Sequence, residues 1–76
     1  MKDLLLYIAR SLVEHPDDVT VTEVQGTDDL TLELRVNPDD MGKVIGRQGR
    51  IAKEIRTVMR SYAQRTGVKF SVYIVY

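Results

Sequence analysis

Two glycines three residues apart, Gly46 and Gly49, enclose Arg47 and Gln48 in the most distinctive stretch of this 76-residue chain. Glycine has no Cβ, so the main chain at such a position can turn sharply and come close to a ligand. Backbone N–H groups at the start of a helix attract anions, and Arg47 adds a positive charge beside them. The spacing therefore predicts a tight turn between helices whose main chain can approach a phosphate backbone.

The charges are distributed unevenly along the chain, although lysine plus arginine and aspartate plus glutamate each number 11. Residues 1–42 contain three basic and ten acidic side chains, a net charge of minus seven, whereas residues 43–76 contain eight and one, a net charge of plus seven. Zero net charge argues weakly against nucleic-acid binding, and a basic cluster around the loop favours it. The alternative is that the two signs intermingle once the chain has folded.

Size and composition exclude several classes of protein. A chain of this length supports one domain with one core. It contains no cysteine and a single histidine, His15, so disulfides and a zinc cluster are excluded as sources of stability, and we expect no metal or cofactor. No segment approaches the roughly 18 apolar residues of a membrane span, and no signal-peptide cleavage region is present. We expect a cytoplasmic, soluble protein.

Hydrophobic periodicity and turn residues predict the element order αββααβ. The predicted elements are a helix over 3–14, antiparallel strands over 19–24 and 30–36, a short helix opened by Asn37 and Pro38, a long helix over 50–64, and a final strand from Val68 to Tyr76. Pro16 ends the first helix and Gly67 ends the long one. The glycine loop falls between the last two helices.

The long helix has two distinct faces. Its apolar face is formed by Ile51, Ile55, Val58, Met59 and Tyr62. On the opposite side Lys53, Arg56 and Arg60 lie within an arc of about 60°. This basic stripe is either an ordinary solvated face or a continuation of the cations in the glycine loop.

The run Gly-Lys-Val-Ile-Gly-Arg-Gln-Gly-Arg-Ile over residues 42–51, between two helices in an αββααβ order, resembles a type II KH domain. The run Asp-Asp-Met-Gly-Lys-Val-Ile-Gly over residues 39–46 is similar to the KhpA family of small bacterial KH proteins. The resemblance covers essentially the whole chain. It implies an α+β fold, a single type II KH domain over residues 1–76, with a three-stranded mixed sheet and three helices packed on one face.

The resemblance also implies an RNA site, because KH domains hold about four nucleotides at a Gly-x-x-Gly loop. The implied contact residues are Lys43, Val44, Ile45, Gly46, Arg47, Gln48, Gly49, Arg50 and Lys53. Val44 and Ile45 match the apolar pair before the loop, which floors the groove in the family or packs the short helix. Many KH domains have isoleucine three residues after the second glycine, whereas this chain has Ala52 there, which affects the shape of the groove.

The function implied by the resemblance is non-enzymatic binding of short single-stranded RNA. The family further implies a bacterial RNA chaperone or post-transcriptional regulator linked to cell-envelope growth. Implied partners are a second copy in a homodimer, the larger KH protein KhpB in a heterodimer, or both. The alternative function is a protein-interaction module on the same scaffold, for which the candidate contact residues are Met59, Tyr62, Tyr73 and Val75.

Other chemistry has little support in the sequence. The spacing of Gly42, Gly46 and Gly49 matches neither the dinucleotide-binding fingerprint nor a Walker loop, because no Gly-Lys-Ser or Gly-Lys-Thr follows. The aspartate pairs at 17–18, 28–29 and 39–40 lie in predicted turns or at a helix start, where aspartate bonds to the local backbone. His15 follows the first helix, where a helix-end role is expected. We therefore expect no enzymatic activity.

Overall fold

The predicted element order is confirmed in a computed structural model, which describes residues 2–67 and 69–75. The elements in those ranges are α1 (Lys2–Leu12), β1 (Thr20–Gln25), β2 (Leu30–Arg35), α2 (Met41–Ile45), α3 (Arg50–Thr66) and β3 (Phe70–Ile74). Single 3₁₀ turns lie at Pro16–Asp18, Pro38–Asp40 and Arg47–Gly49. Val68 and Tyr76, the predicted ends of the last strand, lie outside the described residues.

The three strands form one mixed sheet in the order β1-β2-β3. β1 pairs antiparallel with β2, with Val21 opposite Leu34, and the turn between them is closed by the Gly26 N–H donating to the Asp29 carbonyl at 2.7 Å. β3 pairs parallel with β2, with Leu32 opposite Val72. A parallel pair needs a long crossover, which α2 and α3 supply, and the glycine loop is part of that crossover.

The core lies between one face of the sheet and the helices. Leu30, Leu32 and Leu34 alternate along β2 on this face and are buried, as their period of two requires. The helices contribute buried apolar side chains that pack with these, Leu5 and Ala9 from α1, Val44 from α2, and Ile55 and Met59 from α3. The helices therefore cover one face of the sheet, and the fold class predicted from the sequence is confirmed.

The other face of the sheet carries exposed or partly buried side chains that are mainly polar, among them Thr22, Glu33, Arg35 and Tyr73. Tyr73 is 57% exposed. The two faces of the sheet therefore have different chemistry.

We predict that Leu32→Ala lowers the free energy of unfolding by about 2–5 kcal/mol, because it leaves a cavity at a fully buried position of the central strand. The neighbouring Thr31→Ala, on the opposite face, should cost less than about 1 kcal/mol. Urea unfolding followed by circular dichroism measures both losses. Equal losses at the two positions would contradict the assignment of the faces.

Candidate nucleic-acid interface

The glycine loop reverses the chain between α2 and α3 with three residues at positive φ. Gly46 has φ +75° and ψ 175°, Gln48 has φ +59°, and Gly49 has φ +73°. The Gly46 N–H donates to the Gly42 carbonyl at 2.9 Å and ends α2, and the Gly49 N–H donates to the Gly46 carbonyl at 3.2 Å and closes the turn. α3 begins at the next residue, Arg50.

The two glycines are required for different reasons. A Cβ at Gly46 would lie 2.6 Å from Cγ1 of Ile51, so close packing and the positive φ both exclude a larger residue. A Cβ at Gly49 meets nothing within 4 Å, so only the positive φ favours glycine there. Ile51 thus packs the first turn of α3 against the loop.

Gln48 is the only non-glycine residue with positive φ among those the structure describes. Such a conformation is strained for a residue with a Cβ, and strained backbone is concentrated at functional sites. The Gln48 and Arg47 side chains are both exposed. Both side chains project from the turn, have no packing role and are accessible to a ligand.

The first turn of α3 can accept an anion. Gly49 occupies the N-cap position and no side chain caps the helix there. The first N–H groups of a helix have no partner within it, and the helix dipole places partial positive charge at that end. In this 17-residue helix, those groups lie directly beside Arg47 and Arg50.

Basic side chains continue from the loop along α3. Five basic side chains here are exposed, and none of them forms an ion pair within residues 2–67 and 69–75. They are Arg47, Arg50, Lys53, Arg56 and Arg60. At 1.5 Å per residue, the stretch of helix from Arg50 to Arg60 measures about 15 Å. These five side chains are defined here as the cation track.

The other predicted contact residues have different surroundings. Val44 is completely buried and packs α2 onto the core, while Ile45 is partly buried. The Lys43 ammonium lies 3.7 Å from carboxylate oxygens of both Glu14 and Asp40, so its charge is shared with two acids. The predicted residues 43–50 are contiguous and Lys53 follows one turn later, but Val44 has no exposed surface with which to contact RNA.

A groove between α3 and β3 adjoins the cation track. It is lined by Arg56, Arg60, Phe70, Ser71, Val72 and Tyr73. The Arg56 Nε–H donates to the Val72 carbonyl at 3.2 Å across it. The Lys69 carbonyl and the Val75 N–H bond to β2, so the main-chain groups of the alternate residues 70, 72 and 74 face the open edge of the sheet.

The sequence predicted only part of this groove. Arg56 and Arg60 are in the basic stripe, whose alternation with the apolar face is visible in the helical period. The four residues from β3 could not be assigned to the same surface, because the pairing of β3 with the edge of β2 is a long-range contact. The topology places them beside the stripe.

Asp40 is fully buried and charged, which the sequence did not predict. Its Oδ1 accepts the Glu14 N–H at 3.2 Å, and its Oδ2 accepts the His15 N–H at 3.0 Å and lies 3.0 Å from His15 Nδ1. The expectation that this aspartate bonds to its local backbone is therefore wrong, because its partners lie 25 and 26 residues away. Burial alone would raise the pKa of the Asp40 carboxyl, but these hydrogen bonds outweigh burial and lower the pKa.

An apolar groove separates α1 from α3 on the other side of the long helix. It is lined by Ile8, Leu12, Ile51, Glu54, Ile55 and Val58. Leu12 and Val58 are 39% and 48% exposed. We call these six residues the α1–α3 groove.

Among residues 2–67 and 69–75, no three or more His, Cys, Asp or Glu side chains are grouped so that they could hold a metal ion. The helices in the same ranges are all too short or too polar to span a bilayer.

Comparison with known sequences identifies relatives over the full length of this fold. Residues 2–74 match the family model described as KhpA/KhpB, KH domain. The chain is 55% identical over 75 residues to the RNA-binding protein KhpA of Clostridium perfringens, covering 99% of this chain and 100% of that protein. It is 49% identical over 74 residues to the RNA-binding protein KhpA of Chlamydia caviae, covering 97% and 95%.

Among solved structures, the fold is similar to part of Era in complex with MgGDPNP and nucleotides 1506–1542 of 16S ribosomal RNA, with a TM-score of 0.66 and 19% identity. It is also similar to part of Aquifex aeolicus Era, with a TM-score of 0.63 and 20% identity. The matches cover 96% and 97% of this chain but only 28% and 30% of the Era chains. At these identities the likeness shows the fold alone.

We predict that Gly46→Ala destabilises the domain by about 3 kcal/mol, because left-handed strain and a clash with Ile51 add together. Gly49→Ala should cost about 1 kcal/mol, from strain alone. Urea unfolding measures both. As a control, Ile51→Ala should destabilise the wild-type protein more than it destabilises the Gly46→Ala variant, and purely additive losses would contradict the proposed contact.

Proposed function

This chain belongs to the KhpA/KhpB family of KH domains, and on that premise we propose that it is a non-enzymatic RNA-binding protein. It holds short single-stranded RNA at the loop of residues 46–49 and in the neighbouring groove. The observation that carries this proposal is the conformation of the loop, which presents two glycines beside an uncapped helix start and the cation track. The curated relatives are named RNA-binding proteins, which supports the same assignment.

The phosphate backbone binds at the loop. Gly46 and Gly49 carry no side chain to obstruct it, and the N–H groups of the first turn of α3 donate to phosphate oxygens. Arg47 and Arg50 neutralise charge on either side of the turn, and Gln48 donates through its amide. The ammonium of Lys43 is shared with Glu14 and Asp40, so we expect a weaker phosphate contact from Lys43 than from Arg47.

The bases lie in the groove between α3 and β3. Its wall on the β3 side offers main-chain N–H and C=O groups at the open edge of the sheet, and Lys53, Arg56 and Arg60 follow the backbone on the other side. Such donors and acceptors suit unstacked bases, which expose their hydrogen-bonding edges in single-stranded RNA. Phosphate contacts then fix the position of the RNA, while the groove reads its bases.

The cellular role that we propose follows from family membership. The protein acts as a bacterial RNA chaperone or post-transcriptional regulator linked to cell-envelope growth, and it pairs with the larger KH protein KhpB. Crosslinking in the native cell, followed by identification of both attached RNA and attached protein, tests this role. Recovery of both RNA and KhpB supports this role. An experiment that recovers no RNA and no KhpB contradicts it.

A second candidate function, self-association, is favoured by the α1–α3 groove. Its lining is apolar apart from Glu54, and Leu12 and Val58 project from it into solvent. A domain of this size buries only about 60–65% of its unfolded surface, so covering this face with a second copy adds stability and gives the pair two RNA sites. Of the contact residues suggested by the sequence, Met59 is excluded because it is fully buried, whereas Tyr62 is 40% exposed.

We predict that Arg47→Asp combined with Gln48→Asp abolishes RNA binding without unfolding the domain, because carboxylates replace the groups that face the phosphates. Fluorescence anisotropy with a labelled single-stranded RNA of about 12 nucleotides, three times the length that one KH domain holds, measures binding. Wild-type affinity should fall with salt at a log–log slope of about −3, because each of about four neutralised phosphates contributes about −0.7.

The matched control is Arg35→Asp combined with Val24→Asp, which changes the net charge by the same amount on the opposite face of the sheet. This control should lose much less affinity than the loop variant. If the folded loop variant bound RNA as well as the wild type, the loop assignment would be wrong. Equal losses of RNA affinity in the two variants would mean that the net charge of the protein, and not the position of the loop, determines binding.

For self-association we predict that Val58→Glu sediments as a monomer at concentrations where the wild type forms a dimer, because it places a charge in the α1–α3 groove. Tyr73→Glu, on the outer face of the sheet, should leave the dimer intact. Analytical ultracentrifugation decides between the two surfaces. A monomeric wild type, or dissociation by the Tyr73 substitution alone, contradicts the proposal.

A further inference from the structure

The Asp40 carboxylate joins two parts of the chain that are distant in sequence. It binds the backbone N–H groups of Glu14 and His15, which follow the end of α1, and it also contacts the His15 ring and the Lys43 ammonium. A buried charge is very costly unless donors surround it, and this carboxylate is surrounded by them. Such an arrangement therefore has a defined geometry that a surface ion pair lacks.

This carboxylate lies immediately before α2. That helix has five residues, Met41–Ile45, and a helix this short has no stability of its own in water. Its direction is set by the contacts that hold it, among them Val44 in the core and Asp40 at its N-cap position. Because Gly46 follows Ile45 directly, the placement of α2 is also the placement of the loop.

Two hydrogen bonds of Asn37 reinforce the same junction from the surface. Asn37 accepts the Asp39 N–H at 2.8 Å and caps the 3₁₀ turn that contains Asp40. The Asn37 amide also donates to the Asp18 carboxylate at 2.9 Å, across to the 3₁₀ turn that follows His15. The entry into α2 is thus held from two sides.

We propose that Asp40 is the positioning residue of the phosphate-binding loop, and that His15 makes its hold, and with it the affinity for RNA, stronger at acidic pH. Asp40 fixes the start of α2 against the end of α1, and so determines where the loop lies relative to the basic side chains of α3. The part that concerns affinity rests on the proposed function of the loop. No contact between Asp40 and RNA is involved.

Acidic side chains surround His15, and three of them, Asp40, Asp18 and Asp39, favour its protonated form. Asp40 faces it from the start of α2, Asp18 from the following turn and Asp39 from the turn before α2, while Glu14 is its neighbour in sequence. Lys43 is the nearby cation, and it contacts the Oδ1 atom of Asp40, whereas the His15 ring contacts the Oδ2 atom. The imidazolium and the ammonium therefore do not compete for one oxygen.

The direction of the pH effect follows from the two titrations. The hydrogen bond with Asp40 raises the pKa of His15 above 6.5, so its stabilising contribution is complete below 6.5 and is lost as pH rises through the raised value. The hydrogen-bonded Asp40 carboxyl has a pKa below 3.8, so its contribution is complete above 3.8 and is lost as pH falls through the lowered value. The junction is strongest between these limits.

Asp40→Asn tests the positioning role, with Val21→Ala as a matched core variant that is destabilised without touching the junction. Under conditions where both variants are folded, Asp40→Asn should bind the labelled RNA of about 12 nucleotides at least about tenfold more weakly than the wild type. That factor corresponds to about 1.4 kcal/mol, near the lower end for one hydrogen bond to a charged group. Val21→Ala should bind RNA like the wild type.

A readout without RNA accompanies the binding measurement. In NMR spectra, the amide resonances of Gly46 and Gly49 should shift in Asp40→Asn and stay in place in Val21→Ala. Failure of the wild type to bind RNA overturns the function proposed for the loop, and the glycine resonances still decide the positioning role. Unmoved glycine resonances together with wild-type affinity in Asp40→Asn overturn the inference.

The pH dependence has its own control. His15 is the only histidine in the chain, so it is the only side chain whose ordinary pKa lies between about pH 5 and pH 8. Wild-type affinity for RNA should rise as pH is lowered from about 8 to about 6, and His15→Gln, which keeps an amide donor but no titrating group, should remove most of that rise. An unchanged pH profile in His15→Gln overturns the role of His15.

Discussion

The reversal of the chain between α2 and α3 is the constraint on which the site depends. Two long-range contacts constrain the geometry of this turn: α3 must lie across the sheet, and β3 must pair parallel to β2 at its edge. The turn satisfies them with three positive φ angles in four residues, a combination that only a sequence with glycine at the right places adopts at low cost. Ile51 then packs so closely on Gly46 that the turn and the first turn of α3 form one unit. The fold and the proposed phosphate contact thus require the same residues.

The separation of acidic and basic residues along the sequence is partly preserved in the folded structure. The acidic and basic halves meet at the junction of α1 and α2, where Glu14, Asp40 and Lys43 lie within ion-pair distance. Within the described residues, the cation track along α3 makes no such pair. In the function proposed above, the first half of the chain positions the loop, and the second half supplies positive charge to the RNA backbone. A total charge of zero conceals this division.

The sequence predicted the elements well because their signals are local. Alternation identified β2, the helical period identified α1 and α3, and Asn37 caps its turn as expected. Periodicity also placed Val58 and Met59 in one apolar arc, but it could not separate the exposed residue from the buried one, since that depends on what packs against α3. Asp40 looked like an ordinary helix-start aspartate for the same reason. Its burial depends on Glu14 and His15, and no local pattern contains that contact.

The central claim is that the loop and the start of α3 hold the backbone of single-stranded RNA. Its most direct test is an NMR titration of the isotope-labelled protein with such an RNA, which reports on every assigned backbone amide at once. The account predicts that the largest shifts fall on residues 46–50 and continue along the side of α3 that faces β3. Shifts confined to the α1–α3 groove or to the outer face of the sheet, with the loop amides unmoved, would contradict it.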